Sequence, residues 1–365
     1  MKKTVYCLLF LFLVSSLVMA ASLDETLESL SGQAAVSYVN PIVSAFGSNL
    51  NGGWFHRAPK KDLFAFRPEF GLVFMGSIFP KDDQHFVATG DFRFTGSQVE
   101  ALVNGVDFSI FGTQADEIEQ ALINKLTSED FTVNLSGPTI VGPDDENIEV
   151  VFVEKDIPVI IEVAGNPVEY NVTVPGHLFT LPIGGLLNEA PLLPLMAPQL
   201  KLGTLFGTQA TFRYLPTYDI PDIGKFDYFG FGIQHNPKAW ISAPIPFQIC
   251  LSFFTQTMTL GDYVKATSTA YGINASKTLG WKFLSITPYV GYMLENANMV
   301  FEYEYDPGTV QGQTLEPINV KFDIDGKNKS RLTLGTTFRL GVFNINADYN
   351  MGKYDSFTAG FAIGI

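Results

Sequence analysis

The chain is poor in cysteine, poor in basic residues and nearly devoid of long apolar runs. Of its 365 residues two are cysteine, Cys7 and Cys250. Lys2 and Lys3, the apolar stretch from Val5 to Val14 and the small-residue end Val18-Met19-Ala20 read together as a secretory signal peptide over residues 1–20. That stretch is too short to span a bilayer as a helix, and no stop-transfer charges follow it. Cys7 lies deep in the apolar run, away from the cleavage point, which argues against a lipid anchor. Cleavage leaves Cys250 alone, so an intramolecular disulfide is excluded.

Basic residues are scarce. Losing Lys2 and Lys3 with the leader takes the 23 Lys and Arg to 21, against 37 Asp and Glu, a net charge of −16. Nucleic acid is therefore not an expected partner, because its phosphates demand a basic face. Beyond the leader no run of 18 apolar residues occurs, which excludes a helical membrane protein. Yet 46% of the chain is hydrophobic and 32 residues are Phe. Either a soluble core or a lipid-facing surface must absorb that apolar content.

What is present is alternation. Residues 22–40 read as an amphipathic helix, with Leu23, Leu27, Leu30 and Ala34 on one face and Pro41 ending it. Gly47, Gly52 and Gly53 then loosen the chain before Trp54-Phe55-His56, so residues 21–62 form a helix and connector. Residues 63–96 supply two strands, carried by Phe64, Phe66, Phe70, Leu72, Phe74 and by Phe86, Phe92, Phe94. Residues 97–198 break the rhythm and read as a small α+β insertion. It has capping-box patterns at Ser97/Glu100 and Thr113/Asp116, and an irregular Pro-rich connector from Leu181 to Pro198. From Gln199 to Ile365 the period of two is continuous. Phe229, Phe231 and Ile233 alternate with Gly230, Gly232 and Gln234, and Phe343, Ile345, Ala347 and Tyr349 oppose Asn344, Asn346, Asp348 and Asn350. Asp325-Gly326 reads as a tight hairpin turn between two such runs.

The face opposite the apolar one is mostly Gly, Ser, Thr, Asn and Gln, which suits a barrel lumen better than a charged soluble surface. Several runs reach the length of a tilted membrane strand. Tyr289, Tyr292, Tyr303, Tyr305, Tyr349 and Tyr354 sit near strand ends, where an interfacial girdle would lie. The final segment stops on the apolar parity, as expected where a last strand closes on the first. The fold expected is all-β: an antiparallel up-and-down transmembrane β-barrel of about twelve strands, within a range of ten to fourteen. Two strands precede the insertion and ten follow it, and an N-terminal helical plug segment completes the design.

Two resemblances accompany this reading. The stretches Tyr38–Pro41, Gly52–Ala58, Phe206–Pro216, Gly232–Lys238 and Ala347–Asn350 look like an uncharacterised family of predicted outer-membrane proteins, a domain of unknown function. No activity or site comes with that family. More distantly the layout resembles the long-chain fatty acid and hydrocarbon transporters of the outer membrane, which also place an N-terminal hatch before the barrel.

Candidate chemistry is sparse. His56, His85, His177 and His235 lack metal-ligand spacing, so neither a metal nor another cofactor is expected. No Gly-x-Ser-x-Gly elbow or phosphate loop occurs, which argues against an enzyme. Cys250 reads as an inert buried thiol. Candidate lumen or ligand residues are Trp54, Phe55 and His56 in the plug, Arg213, Gln234 and His235 on two strands, and Arg339, with Arg213 and Arg339 expected to pair with acids such as Asp348. The expected place is the bacterial outer membrane after export, with its lipid as partner. A channel or transporter for small hydrophobic or amphipathic molecules is the first functional expectation. A filled barrel acting through its soluble insertion is the second.

Overall fold

A computed structural model describes residues 32–365 apart from 62–63, 93, 95, 189, 221–223, 242–243, 262, 282, 306–308, 311–312, 315–317 and 365. The signal peptide and the start of the expected helix lie outside the described residues. Packing divides the chain into two units. One holds Asn40–Pro80 and Ala190–Ile365, and the other holds Lys81–Glu189 with the described residues 32–39.

In the first unit ten strands close a ring. They are β1 (Glu69–Ile78), β2 (Leu192–Leu205), β3 (Thr208–Ile220), β4 (Gly224–His235), β5 (Gln248–Leu260), β6 (Val264–Ser276), β7 (Leu284–Tyr305), β8 (Ser330–Leu340), β9 (Phe343–Met351) and β10 (Ser356–Gly364). Each pairs antiparallel with its neighbour in sequence, and β1 pairs with both β2 and β10, so the ten strands form a closed ring. Ten is the lower end of the range the alternation implied.

The ring is inside-out for a water-soluble protein. Phe70, Phe74, Phe229, Leu251, Ile273, Leu334, Phe338, Ile345 and Phe361 are exposed on its outside. Gln199, Lys201, Arg213, Gln256, Asn274, Glu295, Arg331 and Asn346 are buried within. Polar lumen and apolar exterior, on strands long enough to cross the hydrocarbon layer, define an outer-membrane-type barrel. Among the described residues no helix is long and apolar enough to cross a membrane.

Several local expectations are corrected. The run His85–Phe92 joins Phe131–Pro138 in a four-stranded sheet of the second unit, so one strand, not two, enters the barrel before the insertion. The Pro-rich stretch near 192–198 is not an irregular connector; it is the first half of β2. Residues 192–198 pair with β1 alone, and the pairing with β3 begins at Gln199, so Pro194 and Pro198 remove no needed donor. Asp325-Gly326 does not close a hairpin. Ile318–Asp325 and β8 lie end to end along the 22-residue β7, each paired with a different half of it. Of the tyrosines placed in a girdle, Tyr289 and Tyr354 are buried, whereas Tyr292 and Tyr349 are exposed. The side chains of Tyr303 and Tyr305 lie outside the described residues.

The helix α1 runs from Gly32 to Asn51, through Pro41. An interior proline removes one backbone bond, and here the helix continues on lumen contacts. Asn40 Nδ2 donates to the Asp325 carbonyl (3.3 Å), Ser44 Oγ accepts from the Lys327 N–H (3.1 Å), and Asn49 Nδ2 donates to the Leu193 carbonyl (2.7 Å).

The second unit carries its own core, in which Phe94 meets the rings of Phe131, Phe152 and Phe179. Its helix Ala115–Ser128 buries Ile118, Leu122 and Leu126. The helix is entered directly from a 3₁₀ turn, with Gln114 at the N-cap position, so Thr113 does not cap it as its spacing suggested. Tyr38 Oη donates to the Gly184 carbonyl (2.9 Å), and burial pushes that phenol up to about 12.

Candidate functional site

The segment from Asn40 to Pro59 threads the barrel from one end to the other. Its partners progress from Asp325 and Lys327, beyond one rim, through Ser356 at the start of β10 and Asn296 just past the β7–β8 ladder, to Glu69, Ser276 and Asn236 at the rim where β1 begins. The helix stops inside the lumen because Gly53 takes a positive φ of 67°. A side chain there would be strained, and its Cβ would run into Val73 Cγ1.

A helix that ends in the lumen leaves carbonyls unpaired and a partial negative charge. The wall answers with two arginines. Arg213, fully buried on β3, donates from its Nη1 and Nη2 atoms to the carbonyls of Leu50 (3.3 Å) and Gly52 (2.7 Å). Its Nε donates to Gln199 Oε1 at 3.0 Å. Arg331 on β8 donates to the carbonyls of Ser48 (3.3 Å) and Asn51, and pairs with Glu295 at 3.4 Å. Gln256, held by the Tyr228 hydroxyl at 2.7 Å, also donates to the Leu50 carbonyl.

Below the helix end the plug becomes aromatic. The Trp54 indole lies between the Arg213 guanidinium, 3.9 Å from its centroid, and the Phe254 ring, stacked at 5.0 Å. Gly230 and Gly232 form the floor: a Cβ on Gly230 would sit 2.8 Å from the indole Cη2. The inward glycines of β4, visible as an alternation in sequence, are the space that Trp54 fills. Phe55 meets Tyr289 edge-on at 5.5 Å, and Tyr289 donates to Asp348 at 2.8 Å.

His56 links the plug to two strands. Lys201 Nζ on β2 lies 2.7 Å from His56 Nδ1, and His56 Nε2 lies 2.8 Å from Glu69 Oε1 on β1. A lysine can only donate, so Nδ1 accepts and the proton sits on Nε2, facing the carboxylate. Burial first, and then the Lys201 cation, push the ring down to about 4 against the pull of Glu69, so it is neutral. The Thr337 hydroxyl fixes the His56 carbonyl at 2.8 Å.

Of the residues singled out in sequence, Trp54, Phe55, His56 and Arg213 come together in this lumen plug. Gln234 is buried beside Cys250, its Nε2 4.0 Å from Sγ. His235 at the end of β4 contacts Thr208 (2.9 Å), and Arg339 donates to the Gly341 carbonyl (2.9 Å). The expected pairing of Arg213 with Asp348 gives way to carbonyl contacts, because the helix end offers Arg213 several acceptors at once, while Asp348 accepts from Tyr289 and Asn350. Glu69, Lys201, Gln256, Glu295 and Arg331 were missed. All five sit on inward parity, which was the available signal.

The class these features define is an outer-membrane-type β-barrel plugged by its own N-terminal segment. The chain belongs to the family of unknown function DUF6588, which matches residues 1–365. Curated proteins give no match. Among solved structures, a multiply substituted mutant of the Rh. blastica porin is similar at 8% identity and a TM-score of 0.13, covering 83% of this chain and 99% of that one. The barrel assignment rests on the strand pairing, not on that likeness.

Proposed function

We propose that this protein is a sealed barrel of the bacterial outer membrane, exported and held in lipid by its apolar exterior, and that it works as a membrane-seated platform for its insertion, without catalysing a reaction. The observation that carries this reading is the plug neck. Wall arginines saturate the helix end, and Trp54 fills the space above Gly230 and Gly232. The cavity beside His56, Gln199 and Lys201 holds about 10 Å³, less than a useful passage. Full-length protein in planar bilayers is expected to show no steady conductance. A stable open channel with the plug in place would overturn the reading.

A second reading is supported by the open vestibule of about 320 Å³ at the plug's exit. Here the plug moves and the barrel passes small molecules. The lumen wall, lined by amides, hydroxyls and charges, suits polar or amphipathic cargo better than purely hydrophobic cargo. Deleting residues 32–57 and measuring liposome uptake separates the two, since a barrel still sealed after that deletion rules out passage.

A further inference from the structure

The rim where β1 begins gathers positive charge in a chain that is acidic overall. Two cavities adjoin the plug's exit there. One, of about 320 Å³, is lined by Arg57, Lys60, Arg67 and Arg339 with Glu69. The other, of about 380 Å³, is lined by Arg57, Lys60, Lys61 and Lys277. Among the described lining residues of the two, six side chains are cationic lysines or arginines and Glu69 is the one carboxylate. The whole chain has 23 basic and 37 acidic residues, so composition would give the opposite ratio.

Glu69 is already engaged. It accepts from His56 at 2.8 Å and from Asn344 at 2.9 Å, with Arg57 at a looser 3.5 Å. The Arg57 side chain keeps 27% of its surface accessible, and the guanidinium of Arg339 shares its cavity. Burial, and the Arg339 and Arg67 cations working against Glu69, hold Arg57 below its ordinary value. A pocket for a hydrophobic ligand is lined mainly by apolar side chains; this one is not. Planar guanidinium forks converging on a cavity of this size match the oxygens of a phosphate.

We propose that the vestibule is a binding site for phosphate-class oxyanions, with Arg57 and Arg339 facing the oxygens and the exposed Lys61 and Lys277 in the adjoining cavity that Arg57 also lines. The same chemistry is offered by a free phosphate and by a phosphorylated lipid headgroup. The proposal does not depend on whether the barrel conducts, so either can fail alone.

Inorganic pyrophosphate titrated calorimetrically into the full-length, detergent-solubilised protein is expected to bind saturably and more weakly as salt is raised. Arg339→Gln is expected to weaken binding about tenfold, the loss of a charge-assisted contact. The pair K61Q/K277Q, exposed on the adjoining cavity, is expected to weaken binding in the same direction without disturbing the fold. Absence of saturable binding, or wild-type affinity in both variants, would overturn the proposal. Repeating the titration in nanodiscs of phosphatidylglycerol and of phosphatidylcholine identifies the source. Weaker pyrophosphate binding in the anionic discs points to a competing headgroup, and equal binding in both points to a free anion.

Discussion

The guanidinium of Arg213 lies 3.9 Å above the ring of Trp54 while its Nη2 donates a 2.7 Å bond to the Gly52 carbonyl. One wall side chain thus holds both the backbone and the aromatic anchor of the plug. Replacing it with methionine keeps the bulk but removes three charge-assisted bonds, to the Leu50 and Gly52 carbonyls and to Gln199, at roughly 1.5–3 kcal/mol each, and the contact with the indole. Arg213→Met is expected to lower the barrel's melting temperature and to expose residues 52–60 to protease. Arg213→Lys should not restore the wild type, because an ammonium cannot reach both carbonyls and stack as well. Limited proteolysis of the three proteins, read by mass spectrometry, checks this.

Gly230 and Trp54 should be coupled. A methyl at position 230 would stand 2.8 Å from the indole, so Gly230→Ala is expected to push Trp54 out of its slot and cost about 1–3 kcal/mol. In a Trp54→Leu background the same substitution should cost far less. The cycle can be followed by denaturant unfolding read by far-ultraviolet circular dichroism, a signal that all four proteins carry. Additive effects would mean that the two sites do not meet.

Sequence carried the barrel because parity is a local property. Phe343, Ile345 and Tyr349 face out and Asn344, Asn346 and Asp348 face in, as alternation alone implies. It did not carry partner choice. His85–Phe92 alternates as well as any barrel strand, yet pairs with Phe131–Pro138, a choice fixed by contacts far along the chain. The Pro-rich half of β2 was hidden for the opposite reason: its propensity is wrong for a strand, and one-sided pairing makes it tolerable. In the plug, the aromatic triplet Trp54-Phe55-His56 stood out beside its glycines. Which wall residues received it, Arg213 and Lys201 among them, depended on a register that no local pattern specifies.

The plug should loosen in acid. His56 is neutral when docked, with its pKa lowered to about 4, while an undocked histidine titrates near its ordinary 6.5. Between those values the undocked form binds a proton that the docked form refuses, so docking is strongest above pH 6.5 and weakens as pH falls toward 4. The full effect is up to roughly 3 kcal/mol. His56→Gln removes the titration and should flatten the dependence across that window. Protease access to residues 52–60, measured from pH 7 to pH 4, would be equally pH-dependent in both proteins if His56 were not responsible.

The ring should close without the insertion. Ile78 at the end of β1 and Leu192 at the start of β2 are register partners, and the pairing runs from there to Glu69 and Lys201. Adjacent antiparallel ends can be joined by a tight turn. Replacing residues 80–190 with a short Asn-Gly turn removes the second unit's sheets and helices and leaves every ladder of the barrel in place. The shortened protein is expected to refold in detergent with a β-rich circular dichroism spectrum and the heat-dependent gel migration of an intact barrel. Platform and passenger would then be separable, and a function lost in this variant while the barrel persists belongs to residues 81–189. Failure to form a barrel would instead make the insertion part of the closure of the ring, contrary to the direct pairing of Ile78 with Leu192.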